Sequence, residues 1–150
     1  MTDRTVFRVC RAVFARLDGE GARRAGGRWN SPGKPVVYMA ETVALAVLEN
    51  LVHMSRSDFP SGYVLAGAMI PARVKIMTKD DLVAVMGDQD TQILGDYWLT
   101  LTMSAVLAVR SVVVPHERNF LLNPRHPEFR EIIVEMPQPF HFDQRLCGGM

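Results

Sequence analysis

The sequence predicts an α+β fold, a single compact domain in which a mixed sheet core is flanked by helices. Short β-branched runs and segments of helical periodicity are interleaved along the chain, so strands and helices share one unit. A length of 150 residues, with no internal repeat, low-complexity stretch or linker, fits one domain spanning 1–150.

Residues 5–9 alternate and read as the first strand, whereas 18–27 are polar and glycine-rich and read as irregular. Pro32 and Gly33 mark a turn. Residues 36–39 form a short apolar run, best explained as a buried strand. From 41 to 54, Leu45, Leu48 and Val52, with Ala44 and Leu51, recur at three- and four-residue spacing without Gly or Pro, which predicts a helix. Residues 63–70 and 74–77 read as strands separated by Pro71, and 80–86 as a short helix with acids in its first turn. A third helix is expected over 91–103. Residues 106–114 read as a strand ending at Pro115, 116–119 as a loop, and Phe120 as the start of another strand. A turn over 123–127, a late strand over 130–136 and an irregular tail with Pro137 and Pro139 complete the expectation.

A hydrophobic fraction of 48% with 22% charged residues suits a well-packed globule. The formal net charge of +1 argues against a broad surface for nucleic acid or anionic lipid, leaving a local patch at Arg23, Arg24 and Arg28. Cys10 and Cys147 allow one disulfide by arithmetic but form no disulfide framework and no metal-ligand spacing, so no metal is expected. The chain has no basic leader followed by an apolar run. Its longest apolar stretch, 97–115, is broken by Ser104 and Arg110, so no membrane span is predicted. The expected compartment is the reducing cytoplasm.

Glu49 is the most informative residue. On the predicted helix it follows Leu45 by four residues and precedes Val52 by three, which places a carboxylate on the apolar face. Such a group is costly unless paired or used. Two readings fit, a helix-edge glutamate whose head reaches solvent or an arginine, and a functional carboxylate. His53 lies one turn further on, where a surface pair with Glu49 and an auxiliary role are both open. The segment Gly26-Gly27-Arg28-Trp29-Asn30-Ser31-Pro32-Gly33 sets an arginine and a tryptophan between glycines and turn formers. A guanidinium there suits phosphate oxygens, and a structural loop anchored by Trp29 would look the same. Gly19-Glu20-Gly21 lacks the third glycine and the strand–turn–helix context of a dinucleotide fingerprint. Tyr38 sits where it can stack on a flat ring or fill the core. Ser111 follows Arg110 in a β-branched run, and the absence of a Gly-x-Ser-x-Gly elbow argues against a serine hydrolase.

Together these segments resemble the RES-domain family, named for an arginine, a glutamate and a serine. The resemblance is carried by Gly19-Glu20-Gly21-Ala22-Arg23, Gly26 to Gly33, Val36-Val37-Tyr38, the stretch from Ala44 to His53, Ser111-Val112-Val113-Val114-Pro115, and Glu117-Arg118-Asn119-Phe120-Leu121-Leu122-Asn123-Pro124. It implies the toxin of a bacterial toxin–antitoxin pair, with a fold related to ADP-ribosyltransferase toxins, that consumes NAD⁺ as substrate and needs no cofactor or metal. The family's arginine, tyrosine, glutamate and serine fall on Arg28, Tyr38, Glu49 and Ser111, and Trp29 and Asn119 join them in substrate binding. Arg110 departs from the pattern, which has an uncharged residue before the serine. The implied partner is an Xre-like helix-turn-helix antitoxin, with a homodimer of the toxin inside the complex and no direct nucleic-acid contact. Bond cleavage develops oxocarbenium-like charge on the ribose, which Glu49 would stabilise while Arg28 clamps the pyrophosphate and Tyr38 stacks on nicotinamide. The acceptor is open: water (glycohydrolase), inorganic phosphate (phosphorylase, held by Arg28 with Arg23 and Arg24) or a protein side chain (ADP-ribosyltransferase). A non-catalytic nucleotide-binding or interaction module is the alternative outside enzymes.

Overall fold

Period-two alternation along two central strands creates both faces of the sheet. In β5 (Val106–Arg110) and β6 (Arg118–Leu122), Val106, Ala108, Phe120 and Leu122 enter one buried cluster, while Leu107, Val109 and Leu121 enter another. Both strands are thus covered on both sides, which is why they read as continuous apolar runs.

The computed structural model describes residues 2–54 and 60–147. The remaining strands are β1 (Arg4–Arg11), β2 (Val37–Ala40), β3 (Tyr63–Ile70), β4 (Ile76–Thr78), β7 (Ile133–Val134) and β8 (Gln138–Phe140). They form one mixed sheet in the order β4-β5-β6-β2-β1-β3-β7, with β8 also paired to β3. On a flat sheet β5 and β3 would lie about 19 Å apart, four strand spacings. The sheet curls, so that Val6, Ala66, Ala68 and Ile70 of β1 and β3 belong to the same buried cluster as Val106 and Phe120.

Among the described residues, four α-helices flank it. The β4–β5 pair is parallel and is crossed over by α3 (Lys79–Met86) and α4 (Thr91–Thr100), whose Leu82, Leu94, Trp98 and Leu99 cover Leu107 and Leu121. Thr78 and Asp81 form a capping box that starts α3. The short α1 (Glu20–Ala25) follows Gly19, and α2 (Val43–Leu51) is capped by Thr42, whose hydroxyl accepts from the Leu45 amide at 3.0 Å. Leu45 and Ala46 bury α2 against Val9, Ala40 and Phe142. No helix among the described residues is long and apolar enough to cross a membrane.

Several sequence expectations need correction. The stretch 18–27 contains α1, held by tertiary bonds: the Asn30 amide donates to the Ala22 carbonyl at 2.9 Å and the Gly33 amide to the Arg23 carbonyl at 2.7 Å. The long helix is shorter than 41–54, and Ala44, Leu48 and Val52 of its expected apolar stripe are exposed. The helix expected over 91–103 ends at Thr100. The strand over 106–114 stops at Arg110, because the Ser111 hydroxyl captures the amides of Val113 and Val114 at 3.1 and 3.0 Å and removes them from the ladder. Strand β4 begins at Ile76 rather than 74, and β6 begins inside the expected loop, at Arg118. The late strand is a 3-10 turn, Pro127–Glu131, followed by the two residues of β7. Within the expected irregular tail, Gln138–Phe140 form β8, whose Pro139 pairs with Val64 on an edge strand, where a missing N–H is tolerated, and its last three residues, 148–150, lie outside the described ones.

One packing contact decides a sign. A Cβ at Gly95 on α4 would collide with the carbonyl of Trp29. Glycine to alanine inside a helix ordinarily gains up to about 1 kcal/mol, whereas overpacking against backbone costs about 1–3 kcal/mol. Gly95→Ala is therefore expected to lower the urea midpoint at unchanged slope; a raised midpoint would show that the loop yields freely.

Candidate functional site

The site begins where the sheet comes apart. Strand β1 pairs with β3 from Arg4↔Ile70 to Arg11↔Tyr63, yet it meets β2 only at Phe7↔Ala40. Past that point a cleft of about 900 Å³ opens, with Arg8 and Cys10 of β1 on one side and Tyr38 and Met39 of β2 on the other. The carbonyl of Val9, two residues beyond the last β1–β2 pair, is taken by the Asn50 side chain of α2 at 2.6 Å. The same amide group donates to Ala46 at 2.9 Å, so Asn50 ties the helix to the parted strand.

Glu49, next to Asn50, is half-buried and lines the cleft. Its partner is neither an arginine nor His53: the Ser111 hydroxyl donates to Glu49 Oε1 at 3.0 Å. Ser111 itself is 2% exposed, and its oxygen accepts the two amides that end β5. With its proton and both lone pairs committed, Ser111 has no bond left for a ligand and instead orients Glu49. His53 lies past the end of α2, exposed at the cleft margin, with its backbone amide on Asn50. The expected one-turn pairing fails because the helix closes at Leu51.

The glycine-rich loop is a tight turn. Gly27 and Asn30 pair through their backbones, so Arg28 and Trp29 are its two central residues. Arg28 points outward, exposed and facing the cleft, while Trp29 is 5% exposed and packs with Val36, Leu94 and Trp98. Trp29 is therefore chiefly the anchor of the turn, and little of its indole is available to a substrate. The Tyr38 hydroxyl accepts from the Trp29 amide at 3.0 Å and donates to Asn30 Oδ1 at 2.7 Å. A Cβ at Gly27 would strike that hydroxyl, so the close approach requires glycine. From the other side α4 holds the turn: Ser31 bonds Asp96 through its amide at 2.8 Å and its hydroxyl at 2.6 Å, and Thr91 Oγ1 donates to the Arg28 carbonyl at 2.8 Å.

Asn119 of β6 also lines the cleft, its side-chain amide on the Met39 carbonyl at 3.3 Å. Arg23 and Arg24 do not; Arg23 pairs with Glu20 on α1. The arginines beside Arg28 on the cleft are instead Arg8, Arg11 and Arg110. Arg8, Arg11 and Asn50 carry no motif in the sequence and acquire meaning only from the parting of β1 and β2, whereas Asn30 and Arg110 stand out in the sequence only as a member of the glycine-rich segment and as the charged residue before Ser111. Cys10 is a free thiol; burial raises its pKa and the nearby Arg8 charge partly opposes this.

The family model described as RES domain matches residues 5–143. A protein named Toxin Res from Photorhabdus laumondii is 34% identical over 149 residues, covering 94% of this chain and 96% of that one. The Prs ADP-ribosylating toxin of a Sphingobium species is 33% identical over 138 residues, covering 87% and 86%. Among solved structures, a chain of the M. tuberculosis MbcT-MbcA toxin-antitoxin complex superposes with a TM-score of 0.65 at 18% identity, covering 97% of this chain and 87% of that one, a likeness of fold.

Tyr38 yields a pH prediction. Burial pushes its hydroxyl from 10.0 up to about 12, with the Trp29 amide opposing the shift. The unfolded chain loses this proton first, so the contribution is complete below about pH 10 and disappears as pH rises through about 12. Over that window Tyr38→Phe is expected to lose less stability than the parent. At neutral pH it should be about 1–3 kcal/mol less stable, because the Trp29 amide and Asn30 carbonyl lose their partner. Identical alkaline profiles for the two proteins would refute the buried hydroxyl.

Proposed function

We propose that this chain, which belongs to the RES domain family, is the toxin of a toxin–antitoxin pair and cleaves the bond between nicotinamide and ribose in NAD⁺. The observation that carries the reading is the cleft-facing carboxylate of Glu49, fixed by Ser111 where β1 and β2 part. The name of the Sphingobium relative supports it, since ADP-ribosylation breaks this bond in NAD⁺.

In the proposed reaction the C1′–N bond breaks with its electron pair leaving on nicotinamide, which discharges the pyridinium cation. The ribose becomes oxocarbenium-like, and Glu49 stabilises that charge and holds a ribose hydroxyl. Arg28, on a turn braced from both sides, clamps the pyrophosphate with a permanently charged fork. The ring of Tyr38 packs on nicotinamide while its hydroxyl keeps the turn in place. Asn119 supplies an orienting amide, and Ser111 acts through Glu49. When water attacks C1′, the products are nicotinamide, ADP-ribose and a proton.

Bulk NAD⁺ breakdown, with water or inorganic phosphate as acceptor, is the favoured outcome. Mono-ADP-ribosylation of a protein is the second reading, favoured by the relative's name. The toxin would act in the cytoplasm and be neutralised by an Xre-like helix-turn-helix antitoxin, within a complex that contains a toxin homodimer. The antitoxin part of this reading draws support from the complex in which the structural neighbour was solved.

The test is release of free nicotinamide from NAD⁺ by the pure protein, with products weighed with and without phosphate and cell extract. Plain ADP-ribose identifies water as the acceptor, and a phosphorylated ADP-ribose identifies phosphate. Label on one protein band with little NAD⁺ loss identifies the transferase. Glu49→Ala is expected to lower turnover at least about a hundredfold without unfolding the protein, and a folded variant of normal rate would remove the proposed role. Ser111→Ala should lower kcat by about ten- to a hundredfold with KM little changed, and Ser111→Thr should restore much of it. Arg28→Lys should instead raise KM, since it keeps the charge and loses the fork.

A further inference from the structure

Helix α4 carries more apolar surface than its own chain covers. Leu94, Trp98 and Leu99 bury its inner side, and Thr91, Gln92 and Asp96 brace the glycine-rich turn. A third set of residues does neither. Ile93, Tyr97 and Leu101 recur every four residues, and the Leu101 amide still bonds the Tyr97 carbonyl at 2.9 Å, so the three lie along one side of the helix. They are 42, 53 and 59% exposed. Single exposed apolar residues are ordinary, whereas a continuous stripe marks a surface that another protein covers.

The symmetry of the stripe identifies that protein. Ile93 and Leu101 stand one turn before and one turn after Tyr97, so the stripe reads alike in both directions. A second α4, turned end over end about Tyr97, sets Ile93 of each copy against Leu101 of the other and brings the two tyrosine rings together. This is the antiparallel, isologous contact of a two-fold dimer. The charges at the two ends of the helix agree with it. Asp88 and Asp90 stand exposed before the first turn, whereas Lys34 is pinned at the last, its Nζ donating to Thr100 Oγ1 at 2.9 Å. The end-over-end copy lays the acids of one helix toward the lysine of the other and opposes the two helix dipoles. A parallel pairing would set lysine against lysine and acid against acid.

We infer that the outer side of α4 is the interface of a two-fold homodimer, centred on Tyr97 and its copy. The inference gives a surface to the toxin homodimer of the proposed complex. Its test reads mass rather than NAD⁺ turnover, so it and the proposed reaction can fail separately. One side of one helix is smaller than a permanent interface, and monomer and dimer are therefore expected to exchange with concentration.

The experiment is sedimentation velocity of the purified chain from low to high micromolar concentration, with far-ultraviolet circular dichroism to verify folding. The mass should rise from that of one chain to that of two. Tyr97→Glu sets two like charges face to face at the axis and should raise the dissociation constant at least about thirtyfold, the scale of an interface hot spot. Leu101→Gln, at the end of the helix, should act in the same direction and serves if Tyr97→Glu folds poorly. Lys34→Glu should weaken association about tenfold, because each charge pair occurs twice, and adding Asp90→Lys should restore most of it. A chain that stays monomeric at every concentration overturns the inference and leaves the stripe to another protein, the proposed antitoxin included. A dimer indifferent to both Tyr97→Glu and Leu101→Gln overturns it as well, since the interface then lies elsewhere. If the stripe variants break the dimer but the exchanged charges do not rescue Lys34→Glu, the antiparallel arrangement fails, and the inference with it.

Discussion

Everything in the site follows from the sheet being held together at its middle by one residue pair, Phe7↔Ala40. A parted sheet exposes backbone groups that must be satisfied, and it offers a concave space between two rigid walls. Asn50 answers the first requirement by bonding the Val9 carbonyl, which also fixes the helix that carries Glu49. The walls remain firm because each is tied down elsewhere, β1 along its full length by β3, and β2 by β6 from Val37↔Leu122 to Ala40↔Asn119. The C-terminal chain stiffens the first wall further. Phe142 stacks edge-on against Tyr63 at 5.2 Å and packs with Leu45 and Ala46, so the tail braces both β3 and α2.

The two groups assigned to chemistry sit on differently built supports. Glu49 is on a helix and is aimed by one hydroxyl, whose acceptor capacity is spent on the turn that ends β5. Arg28 is on a turn, a weaker platform, and is correspondingly braced from many directions. Tyr38 and Asn30 hold the turn from within, while Asp96, Thr91 and Gln92 hold it from α4. The fully buried Asn30 also donates to the Lys34 carbonyl at 2.9 Å, closing the loop on itself. Such bracing keeps a charged group in position before a ligand arrives, which is the condition under which electrostatic stabilisation is effective.

Much of this was legible in the residues. The apolar runs of β3, β5 and β6 and the periodicity around Leu45 located the core elements, and the placement of a carboxylate on that helix singled out Glu49. What the pattern hid has physical causes. Helix α1 is six residues long among glycines and is stabilised by the loop it faces, so no local signal announces it. The stripe through Leu48 and Val52 was misread because α2 borders a cleft, and Val52 lines that cleft rather than the core. Pro137 and Pro139 disguised an edge strand. Ser111 was expected to touch substrate, and its full hydrogen-bond complement directs it to Glu49 instead.

The central claim is that a nicotinamide dinucleotide lies in the parting between β1 and β2 with its reacting ribose at Glu49. The most direct measurement is a crystal structure of Glu49→Gln, impaired in turnover yet close in shape, with intact dinucleotide bound. The account predicts the nicotinamide riboside in the cleft, its ribose hydroxyls within hydrogen-bond reach of position 49, the pyrophosphate on Arg28 and the Ser111 hydroxyl still on residue 49. A dinucleotide bound elsewhere, or one entering the cleft with its adenosine end at position 49, would contradict it.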